Sequence, residues 1–387
     1  MPRPIQLLLS SAALTHNLAV VRQRLAEAST RLQRPAPHIW AVIKANAYGH
    51  GIDLGVQAFA QADGLAMLDF NEAIRCRELG WDKPILLLEG FFSASDLDLV
   101  AHHNLSIVVH EASQLQALYQ FQPPRPINAY LKINTGMHRL GFAGSAVDAA
   151  WREIRALQRQ GVLRFLGAMT HFSRADSSED DTLAQIELFQ RLNPAPVAPF
   201  SVCNSAATLQ TGLQSHLPAI EQWVRPGICL YGASPFETQS AADFDLRPGQ
   251  TLSAAIIGTQ QVQAGDGVGY GHTFAAERAL RVGVVACGYA DGYPRHAPSG
   301  TPVTVDGQRT RLVGRVSMDM LTVDITDLPN VGVGSQVILW GAGGPSVDEV
   351  AQSAGTIGYE LVTAVTARVP RVVDSNDSIR QEESDEK

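Results

Sequence analysis

The stretch IWAVIKANAYGHG, residues 39–51, holds the unit from which the fold of this chain is read. An apolar run of strand length (39–43) ends at Lys44 and gives way to a cluster of small and polar residues. Apolar runs of similar length recur at 64–68, 84–88, 105–109, 127–133, 163–169, 200–203 and 223–230. Helix-like stretches lie between most of them. In SAVDAAWREIRALQRQG, Ser145 is a plausible N-cap and Gly161 a C-terminal stop. In SASDLDLVAHH, Ser93 and Asp96 resemble a capping box. Eight strand runs alternating with helices read as a (β/α)8 TIM-like barrel. A doubly wound open sheet shares the alternation and is the competing architecture.

The texture changes after about Pro248. Runs such as TLSAAIIGTQQVQ, LRVGVVACGY and VGVGSQVILWG lack helical periodicity and are broken by glycine turns. A mostly β domain is expected there, with a short element near 347–354 as its one helix. The division expected is a barrel at 1–246, a β domain at 247–373 and a disordered acidic tail at 374–387.

The bulk composition agrees. A chain of 387 residues with 45% hydrophobic and 18% charged residues is an ordinary globular protein with room for two domains. The net charge is −8, and half of that excess sits in the tail, where six acids face two bases. No basic stripe points to nucleic acid, and nothing points to a membrane surface. The four cysteines, Cys76, Cys203, Cys229 and Cys287, have no metal-ligand spacing, so no metal is expected. Their scatter suits a reducing compartment. The apolar run at 5–9 is too short for a signal peptide, and no 18-residue apolar stretch exists; a cytoplasmic location is expected.

The unusual polar clusters fall in one place. KANAYGHG follows the first strand run, NTGMHRLG the fifth, THFSRAD the sixth and NSAAT the seventh, while RPG lies within the eighth. The C-terminal ends of barrel strands build active sites. A lysine there, Lys44, is half-buried, and burial lowers its pKa toward Schiff-base chemistry; alternatively it snorkels out of the barrel mouth. Ser205 and the pair Gly227–Ile228 sit where barrels place a phosphate, or else cap ordinary loops. His171, Arg139 and Arg225 are individually unremarkable as a core histidine or ion-paired arginines, but they converge on one face. Three other features are set aside. GDGVGYG (265–271) mimics a phosphate loop but opens no helix, His102–His103 complements a helix dipole, and WGAGG (340–344) is a hairpin or loop.

AVIKANAYGHG resembles the cofactor-attachment site of the alanine racemases. KINTGMHRLGF, THFSRAD, NSAAT, RPGICLYG, GYADGYPR, GRVSMDM and GTIGYEL resemble that family too, in its order, from about Lys44 to Leu361. The resemblance implies a barrel plus a β domain, pyridoxal 5'-phosphate as cofactor, and interconversion of L- and D-alanine by two bases. It implies that Lys44 carries the cofactor and serves one face of the substrate. Tyr289, in GYADG, is then the opposite base, supplied by the partner subunit of a homodimer that shares its active sites. Tyr48, Asn204, Ser205, Gly227, Ile228 and Tyr359 are implied around the cofactor and its phosphate, with Arg225 facing the pyridine nitrogen and His171 beside the ring. Arg139 and the backbone N–H of Met318 are implied to receive the substrate carboxylate. Lys132 matches a lysine carbamylated in some members. Asn134 departs from a frequent Asp, and Ser317 from a residue that is Cys in some members.

Racemisation needs proton transfer on two opposite faces. A phenol of ordinary pKa about 10 becomes a base near neutral pH only beside cationic neighbours that favour phenolate. The family's arrangement implies a chain from Tyr289 through His171 to Arg225. Arg225 cannot accept a proton, so a ring nitrogen facing it stays unprotonated. Tyr48, Tyr359 and Tyr289 are implied to crowd the entrance and limit substrate size. Alternatives are a broader-specificity amino-acid racemase, a related barrel-fold decarboxylase, or a non-catalytic cofactor-binding protein. D-alanine for peptidoglycan and alanine catabolism are both open as roles.

Overall fold

The computed structural model describes residues 3–193 and 199–374; the expected tail lies, beyond Asp374, outside the described residues. After strand β1 (Ile5–Leu9) come eight strands: β2 (His38–Val42), β3 (Gly64–Met67), β4 (Ile85–Leu87), β5 (Ser106–Val109), β6 (Ile127–Lys132), β7 (Leu163–Met169), β8 (Phe200–Ser201) and β9 (Trp223–Val224). They pair in parallel in the order β8-β7-β6-β5-β4-β3-β2-β9. A single bridge between Phe200 and Gln222 brings β8 beside β9 and rounds the sheet into a barrel. The open sheet is excluded. Strands β3, β4 and β5 are buried on both faces, as strands wrapped by helices must be.

The eighth strand is shorter than its apolar run. It ends at Val224, and Arg225–Gly227 follows it rather than lying within it. Ile228–Tyr231 is a 3-10 turn. Pro226 supplies the reason: it has no N–H for a ladder and fixes its own φ. Its carbonyl still accepts from Val42 N–H at 3.1 Å, which holds the turn against β2.

The helix signals are borne out in part. Ser145 occupies the N-cap of the helix Ala146–Arg159 but accepts no capping bond, and Gly161 follows its end with φ +76°. Asp96 supplies half a box: its Oδ2 accepts from Ser93 N–H at 2.8 Å and Phe92 N–H at 3.0 Å, and the cap position falls to Ser95.

The second domain holds β10 (Gln250–Val262), β11 (Gly267–Val268), β12 (Phe274–Ala275), β13 (Leu280–Val285), β14 (Pro302–Val305), β15 (Gln308–Arg311), β16 (Leu321–Asp324), β17 (Gln336–Trp340) and β18 (Arg371–Val373). Its main sheet also takes in β1, antiparallel to β10 and parallel to β18. The long β10 bends at a bulge between Ile256 and Gly258, pairing with β1 and β17 at its start and with β13 beyond.

Two helices, not one, belong to this domain: Val347–Ser353 and Gly358–Ala364. The second, at seven residues, is too short to show a helical period in GTIGYEL. It docks on the barrel. A Cβ at Gly49 would collide with the Val362 carbonyl, and Gln250 Nε2 donates to that carbonyl at 3.1 Å. The GDGVGYG stretch forms β11 and a three-residue 3-10 turn, Tyr270–His272, and opens no helix. Residues 341–344 turn between β17 and Val347–Ser353, closed by Gly344 N–H to Gly341 C=O at 3.1 Å. His102 ends the helix Asp96–His102 and His103 caps it. Among the described residues no cluster could hold a metal ion, and no helix is long and apolar enough to cross a membrane.

Candidate active site

Lys44 stands two residues after the end of β2, at the mouth of the barrel. The four residues behind it, Ala45, Asn46, Ala47 and Tyr48, have φ of 55°, 54°, 51° and 50°. A left-handed turn of non-glycine residues costs about 1–2 kcal/mol per residue, so neighbours must hold it. Glu72 Oε1 accepts from Asn46 N–H at 2.6 Å, and Asn46 Oδ1 accepts from Ile52 N–H at 3.0 Å. The buried ring of His50 points Nδ1 at the carbonyls of Ala47 and Tyr48, at 3.1 and 2.9 Å. Nδ1 is therefore the protonated nitrogen. The turn throws Tyr48 across the barrel mouth, where it stacks on Tyr231 with ring centroids 4.6 Å apart. Tyr231 is itself tied by its hydroxyl to Val42 C=O at 2.9 Å.

Tyr48 ends against Gly227. A Cβ there would collide with the tyrosine hydroxyl. Gly227 N–H donates to Ser205 Oγ at 2.8 Å, and Asn204 caps the short helix Ser205–Leu209 by accepting from Ala207 N–H at 3.1 Å. Ile228 begins the following 3-10 turn. Hydroxyls and backbone N–H groups thus meet at a corner that no Cβ fills, a donor set suited to phosphate oxygens. Tyr359 leans over it from Gly358–Ala364, its ring 6.3 Å from that of Tyr48.

Arg225 lies deeper. It is buried, with Nη1 donating to Ser201 Oγ at 2.6 Å and Nη2 to Thr170 C=O at 2.7 Å. Nη2 also lies 3.3 Å from His171 Nδ1. Burial lowers Arg225 to about 10, which leaves it cationic at neutral pH. His171 is pushed well below 6.5, first by burial and then by Arg225, Arg139, Lys132 and Lys44. Burial and Arg139 lower Lys44, with Glu89 opposing. Lys132 falls to about 8 through burial, Arg225 and Arg139. The site is a cluster of cations that favours neutral amines and bound anions.

Arg139 reaches this cluster from an exposed position on the loop after β6. It lines a small recess with Lys132, Thr135, Thr170 and His171, and a cavity of about 550 Å³ with Glu89, Phe91, His110 and Leu140. Asn134 ties the loop by accepting from Gly136 and His138 N–H, both at 3.1 Å. An Asp carboxylate could accept the same bonds.

Tyr289 and Met318 are brought together, but not to Lys44. Tyr289 N–H donates to Ser317 C=O and Ala290 N–H to Met318 C=O, each at 3.0 Å. Ser317 enters only through its backbone. Tyr289 is 37% and Met318 54% exposed. Among the described residues no hydrogen bond, ion pair or ring contact links Tyr289 to Lys44. Several residues were missed from the sequence: Thr170 and Ser201, which hold Arg225, and Glu72, Glu89 and Tyr231. Thr170 adjoins His171 within THFSRAD, which is the one signal that could have found it.

A nearly closed (β/α)8 barrel, an appended β domain and a lysine just after the first barrel strand define a two-domain barrel enzyme. Two family models match, one described as the alanine racemase N-terminal domain over residues 9–235 and one as the alanine racemase C-terminal domain over residues 250–373. The chain belongs to the alanine racemase family, a family of isomerases. It is 57% identical to an alanine racemase of Bordetella avium, over 96% of this chain and 99% of that one. It is 56% identical to one of Bordetella petrii, over 97% of this chain and all of the relative. The crystal structure of a biosynthetic alanine racemase from Pseudomonas aeruginosa is similar with a TM-score of 0.87 at 44% identity, over 96% of this chain and 99% of the other.

Proposed function

We propose that this chain racemises alanine with pyridoxal 5'-phosphate held on Lys44. The observation that carries the reading is the corner of Gly227, Ser205 and Tyr48 beside a lysine whose pKa burial lowers. The residues fit the cofactor. Tyr48, Ser205, Tyr359 and the backbone at Gly227 and Ile228 would take its phosphate, with Asn204 fixing that backbone. Arg225 would meet its ring nitrogen as a donor only, and His171 would lie near the ring. When bound, the cofactor supplies the electron sink that lets an alanine Cα–H ionise.

The chain's own groups do the rest. Arg139 and the Met318 N–H grip the substrate carboxylate and fix the Cα between two bases. Lys44 Nζ takes or returns the proton on one face, and Tyr289 Oη does so on the other. Tyr289 stands exposed and unconnected to Lys44 in its own chain. A second copy of the chain supplies it, so the working unit is a homodimer with shared sites. Tyr48, Tyr359 and the partner's Tyr289 close the entrance around a one-methyl side chain. Lys132, its amine lowered by burial, is the candidate for carbamylation, in which it would take up carbon dioxide, release a proton and place a carbamate anion near Arg139. The setting is cytoplasmic, with D-alanine made for peptidoglycan or alanine catabolised.

Purified protein supplemented with pyridoxal phosphate should abolish the optical rotation of pure L-alanine. Borohydride reduction and peptide mapping should place the cofactor on Lys44. Unchanged rotation, or label on another lysine, would overturn the proposal.

A further inference from the structure

Asp291 is two residues beyond Tyr289 and is completely buried. Its Oδ1 pairs with Arg3 Nη1 at 2.8 Å and with Arg368 Nε at 2.7 Å. Its Oδ2 accepts from Gly288 N–H at 2.9 Å, which closes the 3-10 turn Tyr289–Asp291 on itself. Both arginines continue from this first strip, residues 288–292, to a second one, residues 317–319. Arg3 Nη2 donates to Asp319 C=O at 2.6 Å, and Arg368 Nη2 pairs with Asp319 Oδ1 at 2.6 Å. Thr366 adds Oγ1 to Ala290 C=O at 2.9 Å and N–H to Asp291 C=O at 3.1 Å. The two strips so joined carry Tyr289 and Met318.

A buried carboxylate serving only stability would be an odd choice, because desolvating ions cancels most of their attraction. What the ions supply here is direction. One carboxylate and two forked guanidiniums admit few geometries, unlike an apolar contact. The arginines come from the segments beside β1 and β18, which pair with each other, so both ends of the described chain converge on one turn.

We propose that Asp291, braced by Arg3 and Arg368, is a positioning residue that sets the Tyr289 phenol for presentation to the partner's site. The proposal rests on the assignment of Tyr289 as the second base. Displacing such a group by about 1 Å costs on the order of 100-fold in rate. The defect should appear on Tyr289's face of the substrate and spare that of Lys44.

The test compares holoenzyme variants Asp291→Asn, Arg3→Gln and Arg368→Gln, with Tyr289→Phe as reference. Exchange of the alanine Cα proton with deuterated water is followed separately from L- and D-alanine. Amide exchange of residues 288–292 and 317–319 is measured in the cofactor-free protein. Asp291→Asn should lose roughly 10–100-fold in exchange on the face lost by Tyr289→Phe and little on the other. The arginine variants should follow in the same direction, and amide protection should fall in both strips together. Should Asp291→Asn fail to fold, the arginine variants decide. Equal loss on both faces, or no loss, overturns the positioning role while Tyr289→Phe stays face-selective. If Tyr289→Phe itself shows no selectivity, the assignment of the base fails instead.

Discussion

Arg225 Nη2 lies 3.3 Å from His171 Nδ1, and this distance fixes the histidine's tautomer. A guanidinium only donates, so Nδ1 must be the acceptor and the ring proton must sit on Nε2. Burial and the surrounding cations keep the ring neutral. His171 therefore presents an N–H donor on its free side, backed by a buried cation, and such a donor stabilises phenolate over phenol.

The first prediction is read from nitrogen-15 NMR of the histidines. His171 should appear as the neutral Nε2-protonated form at pH 7 and stay neutral as pH falls through the ordinary imidazole range, since its pKa is displaced well under 6.5. Arg225→Lys should disturb it, because an ammonium cannot reach Ser201, Thr170 and His171 in one plane. A doubly protonated ring at pH 7 in the wild type would contradict the arrangement.

The second prediction concerns the corner at Gly227. A methyl there meets the tip of a rigid tyrosine already stacked on Tyr231, so Tyr48 must move. Gly227→Ala should weaken cofactor binding by roughly tenfold to a hundredfold, the value of one charge-assisted hydrogen bond. Fluorescence titration of the cofactor-free protein measures this, and its thermal midpoint checks the fold. Wild-type affinity in a folded variant would remove Tyr48 and Gly227 from the phosphate site.

The limits of the sequence are physical. The barrel was legible because strands buried on both faces are apolar runs, and runs survive without knowledge of pairing. The same rule overextended the eighth strand: WVRPGICL is apolar on both sides of Pro226, and the second half is a 3-10 turn. Strand β1 was visible as a run, but its place in the second domain's sheet depends on pairing with residues some 245 positions away. The left-handed turn after Lys44 was illegible in kind. Ala, Asn, Ala and Tyr do not ask for positive φ, and Glu72, which secures the turn, is 26 residues from Asn46. The ion network around Asp291 escaped for the same reason, with Arg3 288 residues away.

The third prediction follows from His50. It is fully buried, and burial lowers it to about 4 from 6.5, with Nε2 unpartnered. Between pH 6.5 and 4 the unfolded chain binds a proton that the folded chain refuses. Stability is thus whole above pH 6.5 and is lost as pH falls toward 4, to a total of about 3 kcal/mol. Urea midpoints at pH 7.5 and pH 5 should show the loss. His50→Gln should be less stable at pH 7.5 but depend less steeply on pH, since His171 titrates in the same direction and remains. An undiminished pH slope in that variant would clear His50 of the effect.

The last prediction tests whether one active site draws on two chains. Lys44 follows the first barrel strand, Tyr289 sits in the second domain, and among the described residues no hydrogen bond, ion pair or ring contact joins them in one chain. Lys44→Ala and Tyr289→Phe should each be nearly inactive alone. Mixed in equal amounts under conditions that exchange subunits, they should form about half heterodimers by chance. Each heterodimer then has one site with both defects and one with neither. Activity should recover to about a quarter of wild type, half of the dimers each holding one intact site of two. Exchange is confirmed by native mass spectrometry of one isotope-labelled parent. Recovery no greater than the parents' own activities, with exchange confirmed, would place both bases in one chain. The second copy's role would then be structural.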